Sequence, residues 1–214
     1  MPTTTYTPAT IEPAEVTKLT CPRCHFPARF VPLAALTFRC SRCEWRFAFA
    51  APTVSTPAVP SSGTATTNLV ANTTGTVVAV TVSGGTLTFV YVNGVQAGTT
   101  AGTYLVPVAG TISITYSVAP TWAWALPVTS ASVSAGGTSL TFAPTGTNTA
   151  FALEQVLIVD PSGTSDVVKV NGTATATSVP VNSLNSAHNS GVSVTVAALT
   201  PALSSVEAVP ATAF

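Results

Sequence analysis

Charge is what this chain lacks most. Its 214 residues include 7 Lys or Arg and 7 Asp or Glu, making 7% of the chain charged, against roughly 25% in an ordinary soluble protein. From Phe47 through Leu153 there are 107 consecutive residues with no charged side chain. Long apolar runs are also missing: the most apolar piece of this stretch, "WAWALPV", is far shorter than the ~20 residues a membrane helix needs, so no membrane partner is expected. The first residues, "MPTTTYTPATIEPAEV", lack a basic start followed by an apolar run, which argues against a secretory leader and for assembly in the cytoplasm. Two histidines and seven carboxylates leave little material for acid–base chemistry.

What is present is β-forming. Runs such as "TVVAVTV", "TLTFVYV" and "TISITYSV" are rich in β-branched and aromatic residues, which sets the chain apart from charged, aromatic-poor disordered sequences. The expected fold class is all-β. Six of the seven basic residues lie within 1–50, together with three acids; Lys169 and four acids lie beyond Leu153. A freely diffusing protein usually keeps its net charge away from zero, so a neutral, Thr-rich surface favours burial in an assembly over a merely soluble surface.

Composition divides the chain as follows: an extended Thr/Pro-rich arm over 1–19, a cysteine module over 20–50, a Pro/Thr/Ser linker over 51–67, a first small antiparallel β-sandwich or barrel over 68–124, a second over 125–200, and a C-terminal arm over 201–214. Asn93-Gly94 between apolar alternations signals a tight hairpin, because both residues tolerate the positive φ of a type I′ turn. "QVLIVDPSGTSDVVKV" reads as two apolar strands around Asp160-Pro161-Ser162-Gly163, and "NSLNSAHNSG" as a short helical turn closed at Gly191. Trp122 and Trp124, spaced by one, point to the same side of an extended strand. They are expected to plug the junction between the two β regions, with a glycan-stacking platform as the other reading.

Cys21, Cys24, Cys40 and Cys43 form C-x2-C-x15-C-x2-C, the spacing of a four-cysteine zinc site. Each C-x-x-C turn brings two thiolates to one side of a loop, and a hairpin of about fifteen residues returns the second pair to complete a tetrahedron. The expected cofactor is structural Zn2+ in a zinc ribbon, with "ARFVP", "TFRC" and "WRFAFA" as strands. Two disulfides are the rival reading; the pairwise spacing favours metal. Glycine often follows each cysteine pair in such knuckles, whereas His25 and Glu44 stand here, less suited to positive φ; His25 is not expected to be a ligand. Arg23, Arg29, Arg39, Arg42 and Arg46 surround the cysteines in sequence. Part of their charge would offset the thiolates, and the remainder is small for a nucleic-acid interface.

No G-x-S-x-G, phosphate-binding Gly/Lys loop or H-E-x-x-H occurs, and no catalytic residue is assigned. His188 is the one notable candidate, with Asp160 and Asp166 as conceivable partners. Its bland reading is a loop histidine satisfying turn carbonyls.

The stretches "GTLTFVYVNGVQAGTTAGTYLVPVAGTISITYSVAPTWAW" and "VVKVNGTATATSVPVNSLNSAHNSGVSV" resemble β-rich virion proteins of tailed bacteriophages, especially those of actinobacterial hosts. The class comprises head-decoration, cement and tail or fibre proteins. The resemblance spans about residues 68–200 in local phrasing and carries no diagnostic residue. It implies a non-enzymatic structural subunit on a capsid or tail; the first expectation is a decoration or cement protein on the capsid surface of a virion, assembled in the host cytoplasm. Its partners would be the major capsid protein and copies of itself, engaged through the arms and the ribbon. Alternatives are a tail or fibre subunit, a nucleic-acid-binding zinc-ribbon adaptor, and an adhesin contacting host-surface glycans through the two tryptophans.

Overall fold

The computed structural model describes residues 19–20, 23–24, 27–28, 30–34, 37–40, 42–48 and 52–197. The expected arms at 1–19 and 201–214 lie outside this set except for Leu19. The described residues form β-strands and turns with no helix, so the all-β expectation holds and the helical turn expected before Gly191 is absent. The residues there instead make an isolated bridge, in which Val133 and His188 exchange both backbone hydrogen bonds at 2.9 Å.

Near the front, β1 (Leu19–Thr20) pairs with β2 (Pro27–Ala28), and β3 (Phe30–Ala34), β4 (Thr37–Cys40) and β5 (Arg46–Ala48) form an antiparallel sheet in that order. The three strands match the three read from the cysteine module.

Next come β6 (Val70–Ala71), β7 (Val78–Ser83), β8 (Thr86–Val92), β9 (Val95–Gly98), β10 (Gly102–Val106), β11 (Thr111–Val118) and β12 (Thr121–Ala125). They make two antiparallel sheets, β6-β11-β8-β9 and β10-β7-β12. Val78, Val80 and Val82 of β7 meet Val90 and Val92 of β8 and Ile112 and Ile114 of β11 in one core between the sheets. Period-two alternation places these side chains on a common face. Asn93 and Gly94 adopt φ of 52° and 75°, the tight turn their chemistry favours. The turn at Gly84-Gly85 carries the chain from one sheet to the other. Gly85 has φ 67°, and a Cβ there would lie 2.5 Å from the Val118 carbonyl oxygen, so only glycine fits where the two sheets' chains meet.

The linker read over 51–67 is no free spacer: from residue 54 it is tied, with Asn68, along this pair of sheets. Trp122 Nε1 donates to the Pro57 carbonyl (2.9 Å), Trp124 N to Thr56 Oγ1 (3.0 Å), Tyr116 OH to the Pro60 carbonyl (2.8 Å) and Thr115 Oγ1 to the Gly63 carbonyl (2.9 Å). Asn68 Nδ2 donates to the Ile114 carbonyl. The strap thus occupies the Ile114 carbonyl of β11, beyond the two residues that pair with β6, and the Trp124 amide of β12, the edge strand of its sheet, backbone that would otherwise offer itself to another chain. Beneath it Trp122 and Trp124 are 7% and 6% exposed and pack in the same core as Val54 and Val59. This corrects the reading of the tryptophans as a junction plug: they fill the open side of the β7/β8 core, where the strap seals them in. Their burial also leaves no stacking platform for a glycan. Trp122 is hydrogen-bonded through its indole, whereas Trp124 Nε1 has no partner. Trp122→Phe is therefore expected to cost about 1 kcal/mol more than Trp124→Phe in urea denaturation, since only the first substitution orphans a carbonyl.

The last strands are β13 (Ser139–Thr141), β14 (Val156–Val159), β15 (Asp166–Lys169), β16 (Ser178–Pro180) and β17 (Val194–Val196). β13 pairs with β16, and a three-stranded sheet runs β15-β14-β17. The β14–β15 hairpin confirms the strand–turn–strand reading around Asp160. The junction between the two β regions is filled by Val77, Ala79 and Leu105, which share a core with Leu140, Phe142, Leu157, Val159 and Val168. Thr76 Oγ1 adds a polar link, accepting from Val196 N at 2.8 Å and meeting Thr195 Oγ1 at 3.0 Å.

All four residues of β14, "VLIV", are buried. Leu157 and Val159 face the core shared with Val77; Val156 and Ile158 face the opposite way, with Val167 and Ala197. A continuous apolar run is what a strand covered on both faces requires.

Candidate metal centre

The second cysteine pair is held in a backbone loop that can be followed bond by bond. Cys40 N donates to the Trp45 carbonyl at 2.8 Å, and Glu44 N donates to the Cys40 carbonyl at 3.0 Å. The chain reverses within five residues and Cys40 and Cys43 come to one side. Glu44 takes φ 59°, the left-handed conformation that glycine would supply more cheaply. Its carboxylate is paired with Arg39 Nη1. One of the five arginines near the cysteines therefore spends its charge on Glu44 rather than on sulfur. Arg23 and Arg42 are exposed, while Arg29 lies outside the described residues.

Cys24, Cys40 and Cys43 converge, their sulfur atoms all within 4.8 Å of one another. Cys24 Sγ and Cys40 Sγ are 4.0 Å apart, twice the disulfide bond length of about 2.05 Å. A tetrahedral zinc with ~2.3 Å bonds to sulfur has an S···S edge of about 3.8 Å, so this spacing suits three ligands of one ion. Cys40 is fully buried and Cys24 and Cys43 are half-buried, which screens the sulfurs from water. The donor set and its geometry fit a thiophilic metal. Cys21, the fourth ligand expected from spacing, and His25 lie outside the described residues.

The spacing of the cysteines did not reveal where their buried side would rest. Cys40 shares a core with Val156, Ile158, Val167 and Ala197, and Cys24, Cys43 and Trp45 pack against the same group. More than a hundred residues separate the two halves of this contact. The one legible signal was the unbroken apolar run of β14, which needs a cover on each face.

His188 was the other candidate. Its Nε2 lies 2.9 Å from Asp166 Oδ2, with both side chains 1% exposed. Asp166 also accepts from Asn185 N (3.1 Å), Asn185 Nδ2 (3.1 Å) and Ser186 N (2.9 Å). With its carboxylate acting as acceptor throughout, the imidazole donates from Nε2. The partner of His188 is thus Asp166, one of the two carboxylates named for it, rather than turn carbonyls. Asp160 Oδ2 lies 4.0 Å from His188 Nδ1, beyond hydrogen-bond reach, and Nδ1 has no partner. Ser165 Oγ, nearby in sequence, donates to the Asp160 carbonyl at 2.9 Å. The cluster ties the 184–188 loop to β15.

Asn72, which carries a glycosylation-type Asn-x-Thr pattern, is buried, and its Nδ2 donates to the carbonyls of Thr76 (2.7 Å) and Pro107 (2.8 Å). Its amide is consumed by the fold. Comparison with family models, with curated proteins and with solved structures finds no match.

Proposed function

We propose that this chain is a non-enzymatic structural subunit of a virion, a decoration or cement protein on a phage head, carrying a structural Zn2+ held by Cys21, Cys24, Cys40 and Cys43 in an N-terminal zinc ribbon. The observation that carries the assembly reading is how the charge-free stretch finishes its surface. On the exposed side of the β10-β7-β12 sheet, hydroxyls pair across strands: Thr81 Oγ1 with Thr103 Oγ1 (3.1 Å) and Ser83 Oγ with Thr121 Oγ1 (2.9 Å). On the other sheet, Val95 of β9 and Val118 of β11 add exposed apolar area. A face whose polar groups already satisfy one another loses little on being dried. Burying unpaired charges would cost several kcal/mol each. Such a face suits a permanent place against neutral neighbours, here the major capsid protein and copies of itself.

Four thiolates close the coordination sphere of zinc and leave no open position, so the metal's role is to staple about thirty residues that have too little core to fold alone. With the cysteine side resting on the chain's own β-sheet, contact with the shell falls to the remaining ribbon surface, the arms and the hydroxyl-paired faces.

Purified virions test the assignment. Mass spectrometry should find the chain at a copy number that tracks the major capsid protein, and labelling should decorate the head. A few copies confined to the tail would move the assignment to a tail or fibre subunit. Binding of the purified chain to DNA or RNA that falls steeply with salt would instead favour the nucleic-acid adaptor.

A further inference from the structure

We infer that the metal site and the outer face of the β15-β14-β17 sheet form a single coupled unit, in which Val156, Ile158, Val167 and Ala197 act as positioning residues for the metal and the metal-bound loops act as the cover of that sheet. This rests on the metal reading of the cysteines and not on the virion assignment.

Two facts meet in one place. The cysteine sulfurs converge at metal-binding spacing, and the residues against which they pack belong to the face of β14 and β15 turned away from the Val77 core. Cys40, fully buried, belongs to both the ligand cluster and the apolar core. Metal-bound sulfur is soft and polarisable and packs well on aliphatic carbon.

The consequence is thermodynamic and runs both ways. Without metal, the small cysteine module cannot hold its loops together, and Val156, Ile158, Val167 and Ala197 lose their cover. Conversely, the sheet lends binding energy to the module, so a side chain that ligates nothing raises metal affinity. Couplings of this kind span about 5- to 150-fold in affinity and are equal in the two directions.

β14 supplies its own control, because successive side chains face different cores. Ile158 faces the cysteines, and Leu157, equally buried, faces the core shared with Val77. Zinc affinity of the full-length chain would be measured by competition with a chromophoric chelator for wild type, Ile158→Ala and Leu157→Ala, each checked for folded β-structure by circular dichroism. Ile158→Ala should weaken zinc binding about tenfold, whereas Leu157→Ala should change it less than twofold. Hydrogen exchange on the wild-type chain is the second measurement, and it decides alone if either variant does not fold. Chelation should speed exchange in 156–159, 166–169 and 195–197 while leaving 78–83 unchanged. Equal zinc affinities with unchanged exchange would overturn the coupling and leave the metal site standing. A wild-type chain that binds no zinc would overturn both.

Discussion

A Cys40→Ser chain, or the wild-type chain in excess chelator, is expected to lose the ordered structure of the cysteine module while the β7/β8 core remains folded. The effect should be the largest of any single change, because structural zinc contributes on the order of 10 kcal/mol to a module of this size. Serine is a poor zinc ligand, and at position 40 it also puts a hydroxyl into a fully buried site among Val156, Ile158 and Val167. The backbone loop is closed by Glu44 N on the Cys40 carbonyl and Cys40 N on the Trp45 carbonyl, bonds worth about 1 kcal/mol each. The Arg39–Glu44 pair is exposed and worth less than about 1 kcal/mol. Alkylation followed by mass spectrometry gives the check: the thiols should be protected in the untreated chain and react together after chelation. Limited proteolysis should then cut within 19–48 and spare 78–125.

Asp166→Ala is expected to cost about 3–5 kcal/mol, read as a lowered urea midpoint with an unchanged slope. The substitution strands four donors at once: His188 Nε2, Asn185 N, Asn185 Nδ2 and Ser186 N. His188 is buried and Asn185 and Ser186 are half-buried, so the penalty includes unmade hydrogen bonds in addition to a lost contact. Asp166→Asn keeps one acceptor oxygen and should lose less. Asp160→Asn should cost less than about 1 kcal/mol, because Asp160 stands 4.0 Å from the ring and is partly exposed, and Asn tolerates its φ of 55°. This ordering separates a structural carboxylate from an incidental one.

What the sequence revealed and what it hid have a common physical basis. Features encoded within a few residues were legible: the Asn93-Gly94 turn, the hairpin around Asp160, the strands of the cysteine module and the pairing of Cys40 with Cys43. Each depends on local backbone preference or on ligand spacing. Features that depend on which surfaces meet were not legible. Trp122 and Trp124 were recognisable as a large apolar load, but the strap that covers them is mostly proline and small residues, with Val54 and Val59 as its larger apolar side chains, a composition that also describes a free spacer. The Gly84-Gly85 turn marked the end of a strand without indicating that the next strand joins the facing sheet. His188 and Asp166 lie 22 residues apart; Asp166 stood beside Asp160 as a conceivable partner, but nothing periodic distinguished the carboxylate that is bonded from the one that is not. The "VLIV" run came nearest to disclosing a tertiary contact, since it required covers on both faces without naming them.

The central claim is that the four cysteines hold one structural zinc. Native mass spectrometry of the full-length chain tests it most directly. One zinc ion per chain, released only on acidification or chelation and leaving four alkylatable thiols, is the predicted result. A metal-free chain whose mass is lowered by four hydrogens, the signature of two disulfides, would contradict it.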